Sequence, residues 1–189
     1  ELGENRPEML LFYGHRVTKA VTETCLSQWY PCQFEVEGVT YTSAEQYMMA
    51  EKAKLFGDEE IRAEILNTDD PRMCKALGRK VKNFDKAVWD KEKEHIVRKG
   101  NTKKFLQNSA LRNFLLSTGD KVLVEASPTD RVWGIGLGKN NPDALNPQKW
   151  RGQNLLGFTL MAVRKDMAIL DMYGEFDEEE DGENMEETK

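Results

Sequence analysis

The periodicity of the chain changes within Phe34-Glu35-Val36-Glu37-Gly38-Val39-Thr40-Tyr41-Thr42-Ser43-Ala44-Glu45-Gln46-Tyr47-Met48-Met49-Ala50-Glu51-Lys52-Ala53-Lys54-Leu55-Phe56. Its first eight residues alternate apolar and polar around Glu37-Gly38, which predicts two paired strands joined by a two-residue turn. Ser43 then stands three residues before Gln46, the spacing of a capping box, and predicts a helix to about Phe56 that Gly57 ends. A hairpin running straight into a helix places the chain among folds that mix helices with a small sheet.

Working outward, Met9 to Tyr13 is a short apolar run ending at Gly14 and reads as a strand. Downstream, helices are predicted at Glu59 to Leu66, Pro71 to Leu77 with proline in the first turn, Asp85 to Phe105 and Ser109 to Leu116. Val122-Leu123-Val124 reads as a buried strand after the Gly119-Asp120 turn. A Gly/Pro/Asn-rich loop covers Gly134 to Gly152, and a last helix runs from about Asn154 to Leu170. The expectation is a single α+β domain, mainly helical with a small β-sheet, and no internal repeat.

With 189 residues, 39% hydrophobic and 32% charged, the chain is long enough for one core but not for two full domains. The net charge of −6 is unevenly placed. Nine acidic residues and one lysine lie in 175–189, so residues 1–174 carry about two net positive charges. That near-neutral body gives no basic face for extensive nucleic-acid binding. The expected organisation is a catalytic domain over 1–174 and an acidic, disordered tail over 175–189, too poor in apolar residues to offset the entropy of ordering. Apolar runs such as Leu155 to Val163 are too short to span a membrane, and no secretory signal is legible, so a cytoplasmic location is expected. Cys25, Cys32 and Cys74 have no metal spacing and are read as reduced thiols; no metal is expected.

Three places carry chemistry. The helix after Ser43 sets Glu45 and Lys52 on one stripe with Met48 and Met49, roughly 10 Å apart along the axis. Asp130-Arg131-Val132-Trp133-Gly134-Ile135-Gly136 follows a strand, and its glycines can let the backbone approach a ligand, although it fits neither the dinucleotide fingerprint nor the P-loop. Trp150-Arg151-Gly152-Gln153-Asn154 opens the last helix, where free amides and a guanidinium can hold phosphate.

Together with Ala50-Glu51-Lys52-Ala53, Ala76-Leu77-Gly78-Arg79, Val81, Trp89, Lys104-Phe105, Leu115 to Asp120, Leu123-Val124-Glu125, Asp130, Trp133-Gly134 and Asn154-Leu155-Leu156-Gly157, the run Ser43-Ala44-Glu45-Gln46-Tyr47 resembles the NADAR domain in its characteristic order. The resemblance covers about Phe12 to Leu170. It implies an N-glycosidase, since described members include bacterial enzymes acting on riboflavin-pathway intermediates and hydrolases that remove ADP-ribose from guanine. It implies Glu45, Lys52 and Asp130 as catalytic groups, and Trp89, Arg79, Trp133, Gly134, Gly136, Arg151, Gly152 and Asn154 as substrate-binding ones, with no cofactor. The long loop before Asn154 favours an ADP-ribosylated guanine nucleotide or nucleic acid as substrate. The alternatives are a ribosylamino-pyrimidine phosphate and a non-catalytic module that binds NAD or ADP-ribose.

Breaking an N-glycosidic bond leaves positive charge on ribose C1, which a carboxylate stabilises. Glu45 and Asp130 can supply it. Lys52, if its pKa is lowered by partial burial, can attack a ring-opened C1 as an amine or serve as a general acid.

Overall fold

A computed structural model of the chain describes residues 7–183, with side chains as far as Tyr173. In chain order the elements are β1 (Met9–Phe12), β2 (Phe34–Val36), β3 (Val39–Tyr41), α1 (Ala44–Leu55), α2 (Glu59–Leu66), α3 (Pro71–Gly78), α4 (Lys86–Gln107), α5 (Ser109–Ser117), β4 (Val122–Glu125) and α6 (Leu155–Glu183). The α+β expectation is met, with the strands arranged as two separate pairs.

The hairpin forms as read: Val36 faces Val39 across a turn in which Glu37 and Gly38 both have positive φ, 53° and 79°. Two positive φ values match the twist of a two-residue hairpin. At the start of α1 the Ser43 hydroxyl accepts from the Gln46 amide at 3.1 Å. The Gln46 side chain turns back to accept from the Thr42 amide at 2.8 Å, and its own amide donates to the carbonyls of Ile65 and Thr68. The capping residue thereby also ties α1 to the end of α2.

The other pair is β1 with β4, parallel, with Phe12 beside Glu125 at their C-terminal ends. Parallel strands require a crossover, and here it consists of the hairpin and helices α1 to α5. Helix α1 lies at the centre, packed on α2, α3 and α4. Residues 44–50 and Ala53 are all buried, so α1 is enclosed on nearly every side and presents no simple apolar stripe. Phe34, Tyr41 and Tyr47 form an aromatic group beneath it, Tyr41 meeting Tyr47 edge-on at 5.0 Å. A smaller core of Val124, Ala126, Ile135, Leu137 and Ala144 lies on the other side of β4.

Helix α6 continues past Leu170, where the sequence reading ended it. The expected acidic tail lies beyond the last described side chain, and its final six residues lie outside the described backbone. No described helix is long and apolar enough to cross a membrane. Cys25, Cys32 and Cys74 are free thiols.

Candidate active site

Glu45 sits in the first turn of α1 with 4% of its surface exposed. Its carboxyl is pushed up to about 7, chiefly by burial and further by Asp130, against the opposing pull of Lys75, Lys52 and Arg79. A buried acid held near neutrality can both donate and accept a proton at working pH. Its neighbours therefore define the site: two lysines, an arginine and a second carboxylate, from α1, α3, the end of α3 and the loop after β4.

Lys52 is two turns further along α1. Its ammonium donates to the Gly78 carbonyl at 2.8 Å and lies over the rings of Phe84 and Trp89, 4.5 and 5.6 Å from their centres. Burial lowers its pKa, Arg79 lowers it further, and Glu45 raises it. The face of Trp89 is thus turned to Lys52. Arg79, the residue that ends α3, is exposed beside them.

Asp130 is half-buried, and its Oδ1 accepts from the amides of Val132 and Trp133 at 2.9 and 2.8 Å. Two amides fix the direction of the carboxylate, while Ser127 Oγ accepts from the Asp130 amide at 3.1 Å. Glu125, the last residue of β4, is pushed up to about 8, by burial first and by Asp130 second. Sequence reasoning missed Glu125 and Lys75 as site residues. The available signal was the position of Glu125 at the C-terminal end of a parallel strand, where α/β folds commonly build sites; the pairing that reveals it spans over a hundred residues.

The structure brings together Glu45, Lys52, Arg79, Trp89 and Asp130, and gives the remaining expected residues other work. The amides of Arg151, Gln153, Asn154, Leu155 and Leu156 donate in turn to the carbonyls of Ile135, Arg131, Gly134, Val132 and Trp133. The start of α6 therefore has no row of free amides for phosphate, and the expected clamp is corrected to a backbone clasp between two loops. Gly152 is needed because a Cβ there would lie 2.3 Å from the Gly134 carbonyl oxygen. Gly136 has φ 67° and backs directly onto Arg151. Gly134 is likewise packed against the backbone of Glu125 and Asp130, so at all three glycines a side chain would meet the protein itself.

Asn154 is fully buried with φ 53°. Its side chain accepts from the Glu125 amide at 2.9 Å and donates to the Leu123 carbonyl at 3.0 Å. Expected to touch substrate, it instead locks α6 to β4 directly behind Glu125. Trp133 is half-buried against the main core, and the Arg151 side chain is exposed. The long loop folds on itself, with the Trp150 indole donating to the Ala144 carbonyl at 2.8 Å, and fills the smaller core.

Residues 11–168 match the sequence profile of the NADAR domain. The chain belongs to the NADAR family. Among its relatives, N-glycosidase R617 of Acanthamoeba polyphaga mimivirus is 47% identical over 162 residues, covering 83% of this chain and 95% of that protein. N-glycosidase YbiA of Escherichia coli is 33% identical over 135 residues, covering 71% and 76%. The NMR structure of E. coli YbiA matches with a TM-score of 0.71 at 28% identity, covering 89% of this chain and 90% of that one. With identity of this order over most of both chains, this NADAR protein is an N-glycosidase.

Proposed function

We propose that this NADAR protein hydrolyses the bond between ribose C1 and a base nitrogen in an ADP-ribosylated guanine, with Glu45 as general acid. The observation that carries the reading is the buried Glu45 carboxyl near neutrality, facing Asp130 and Lys52. Lys75 and Arg79 near that carboxyl supply the positive field that an anionic diphosphate requires.

In the reaction, the neutral amine of Lys52 attacks C1 of the ring-opened sugar and forms a C1–N bond. The base nitrogen takes one proton from the adding amine as its double bond to C1 becomes single, and takes the proton of Glu45 as the remaining bond to C1 breaks, leaving Lys52 and C1 joined as a protonated imine. Water then adds to the Lys52–C1 imine, giving a proton to the Asp130 carboxylate. The carbinolamine hydroxyl gives its proton to the nitrogen as the C1–lysine bond breaks, the sugar aldehyde is released to recyclise, and the proton held by Asp130 passes to Glu45, so that all three groups return to their starting states. The lowered pKa of Lys52 favours the neutral amine that this sequence of steps begins from.

Mass-spectrometric product analysis tests the substrate. Incubation with guanine-ADP-ribosylated oligonucleotide is expected to release ADP-ribose with wild type and not with Lys52→Ala. Release of ribose 5-phosphate from a ribosylamino-pyrimidine phosphate, with no action on the oligonucleotide, would replace this reading by the other. Borohydride added during turnover is expected to fix a sugar adduct on Lys52; turnover without any trapped adduct would leave Lys52 the role of an acid instead.

A further inference from the structure

A cavity of about 440 Å³ opens beside the start of α1, bordered by His15, Trp29, Ser43, Asp69, Asp70 and Arg72. None of these residues enters the mechanism above. The cavity is nonetheless next to it: Ser43 is the capping residue two positions before Glu45, and the Lys75 ammonium that faces Glu45 lies 5.9 Å from the centre of the Trp29 ring. The His15 ring lies 5.4 Å from the same indole, tilted by 57°. Trp29 is a wall shared by the cavity and the acid.

The segment that carries Trp29 is held from three directions. The Ser27 carbonyl accepts from the ammonium of Lys104, which is fully buried, at 2.9 Å. The Gln28 side chain accepts from Asn101, also fully buried, at 2.8 Å, and the Gln28 carbonyl accepts from the Glu45 amide at 2.9 Å. The Trp29 amide donates to Ser27 Oγ at 3.1 Å. Burying a lysine is costly, and burial lowers the pKa of this one. Here its ammonium fixes a loop whose next residues are an aromatic wall and a direct tie to the catalytic acid, which is how a rigid subsite is built.

We infer that this cavity receives the departing base, stacked on Trp29, with its N–H edge turned to the carboxylates of Asp69 and Asp70. The assignment rests on the N-glycosidase reading with guanine as the leaving group. Direction along α1 decides between the two ends of the substrate. Arg79 lies toward the far end of the helix, beside the Lys52 that takes C1, and suits phosphate, whereas Glu45, which must reach the base nitrogen, lies at the cavity end. Charge agrees with this. Two carboxylates border the cavity, and its single guanidinium, Arg72, is already paired with Asp70 at 3.6 Å. With Asp70 paired to Arg72, Asp69 is the uncompensated charge on the rim, and it disfavours phosphate there. Carboxylates accept and do not donate, so they select a base edge rich in N–H donors, as in guanine, over the adenine edge with its ring-nitrogen acceptor.

The test uses the full chain labelled with 15N, whose four tryptophans give separable indole signals, that of Trp29 being assigned from a Trp29→Phe variant. GMP is expected to shift the Trp29 signal, and AMP at the same concentration to leave it in place. With ADP-ribosylated guanine as substrate, Trp29→Ala is expected to raise KM about tenfold, the scale of one base–aromatic stack, and Trp29→Phe to restore most of it. Asp69→Asn is expected to weaken the discrimination of GMP from AMP in the shift of the Trp29 signal. Equal shifts by GMP and AMP, or no shift by either, would overturn the assignment. If wild type cleaves the substrate while Trp29 stays silent and Trp29→Ala keeps its KM, the subsite fails and the proposed activity stands. If GMP shifts Trp29 but no ADP-ribose is released, the subsite stands and the proposed activity fails.

Discussion

The middle of the crossover and the segment that follows β4 treat their polar groups in opposite ways. Around α1 and α3, charged side chains are drawn inward without a salt bridge among the described residues: Glu45 is held up near 7 and Lys52 is held down, each mainly by burial. Around the start of α6, polar groups are matched to backbone, with five of the six amides from Arg151 to Leu156 and both ends of the Asn154 side chain engaged. Unmatched buried charge is a cost to stability that chemistry can exploit; matched backbone is stability with nothing left to offer a ligand. The second region serves the first, because the clasp fixes the loop that aims Asp130 and the strand end that carries Glu125.

Substitutions should separate the two regions. The largest effect is expected in the first: Glu45→Gln and Lys52→Ala should each lower kcat/KM by about two orders of magnitude or more in a protein that remains folded, measured by steady-state turnover alongside circular dichroism. Near-normal rates in both would erase the contrast. In the second region, Asn154→Ala should cost about 2 kcal/mol or more, by denaturant unfolding, because it orphans two backbone groups behind β4. The molecules still folded should turn over within a few-fold of wild type. An unchanged unfolding midpoint would show that the clasp is not what holds α6 to β4.

The pH response sharpens the same comparison. Glu45 must be protonated to donate while Lys52 must be neutral, so the slope of log kcat/KM against pH is expected to drop by about one as pH rises through about 7. Stability responds to the same titration. A carboxyl raised from 4.5 to about 7 by the fold binds its proton more tightly in the native chain than in the unfolded one, so stability falls as pH rises across that interval. In Glu45→Gln this slope should flatten and the melting temperature above pH 7 should rise while activity is lost. No such change is expected from Asn154→Ala. The smallest effect concerns arginine: Arg79→Ala should raise KM severalfold, whereas Arg151→Ala should leave it within about twofold, since the amides beside Arg151 are already bonded to the 131–135 loop. An equal rise in both would restore the phosphate site to the start of α6.

The hairpin, the capped start of α1, and the extent of α2 and α5 could be read from the sequence because short-range rules govern them: positive φ at a two-residue turn, a serine cap, and local helical periodicity. The pairing of Glu45 with Lys52 on one helix is of the same kind, as seven residues of helix bring two side chains to one face whatever surrounds them. That Glu45 faces Asp130, Lys75 and Arg79 is a different matter. It depends on β1 pairing with β4 across more than a hundred residues and on α3 packing back over α1, and loop closure of that length leaves no local trace. The loop glycines and Asn154 were misread for the related reason that a residue suited to approach a ligand is equally suited to approach another backbone. Which of the two it meets is decided by what the fold has already placed there, and at Gly152 and Asn154 the fold has placed the 131–135 loop and the end of β4.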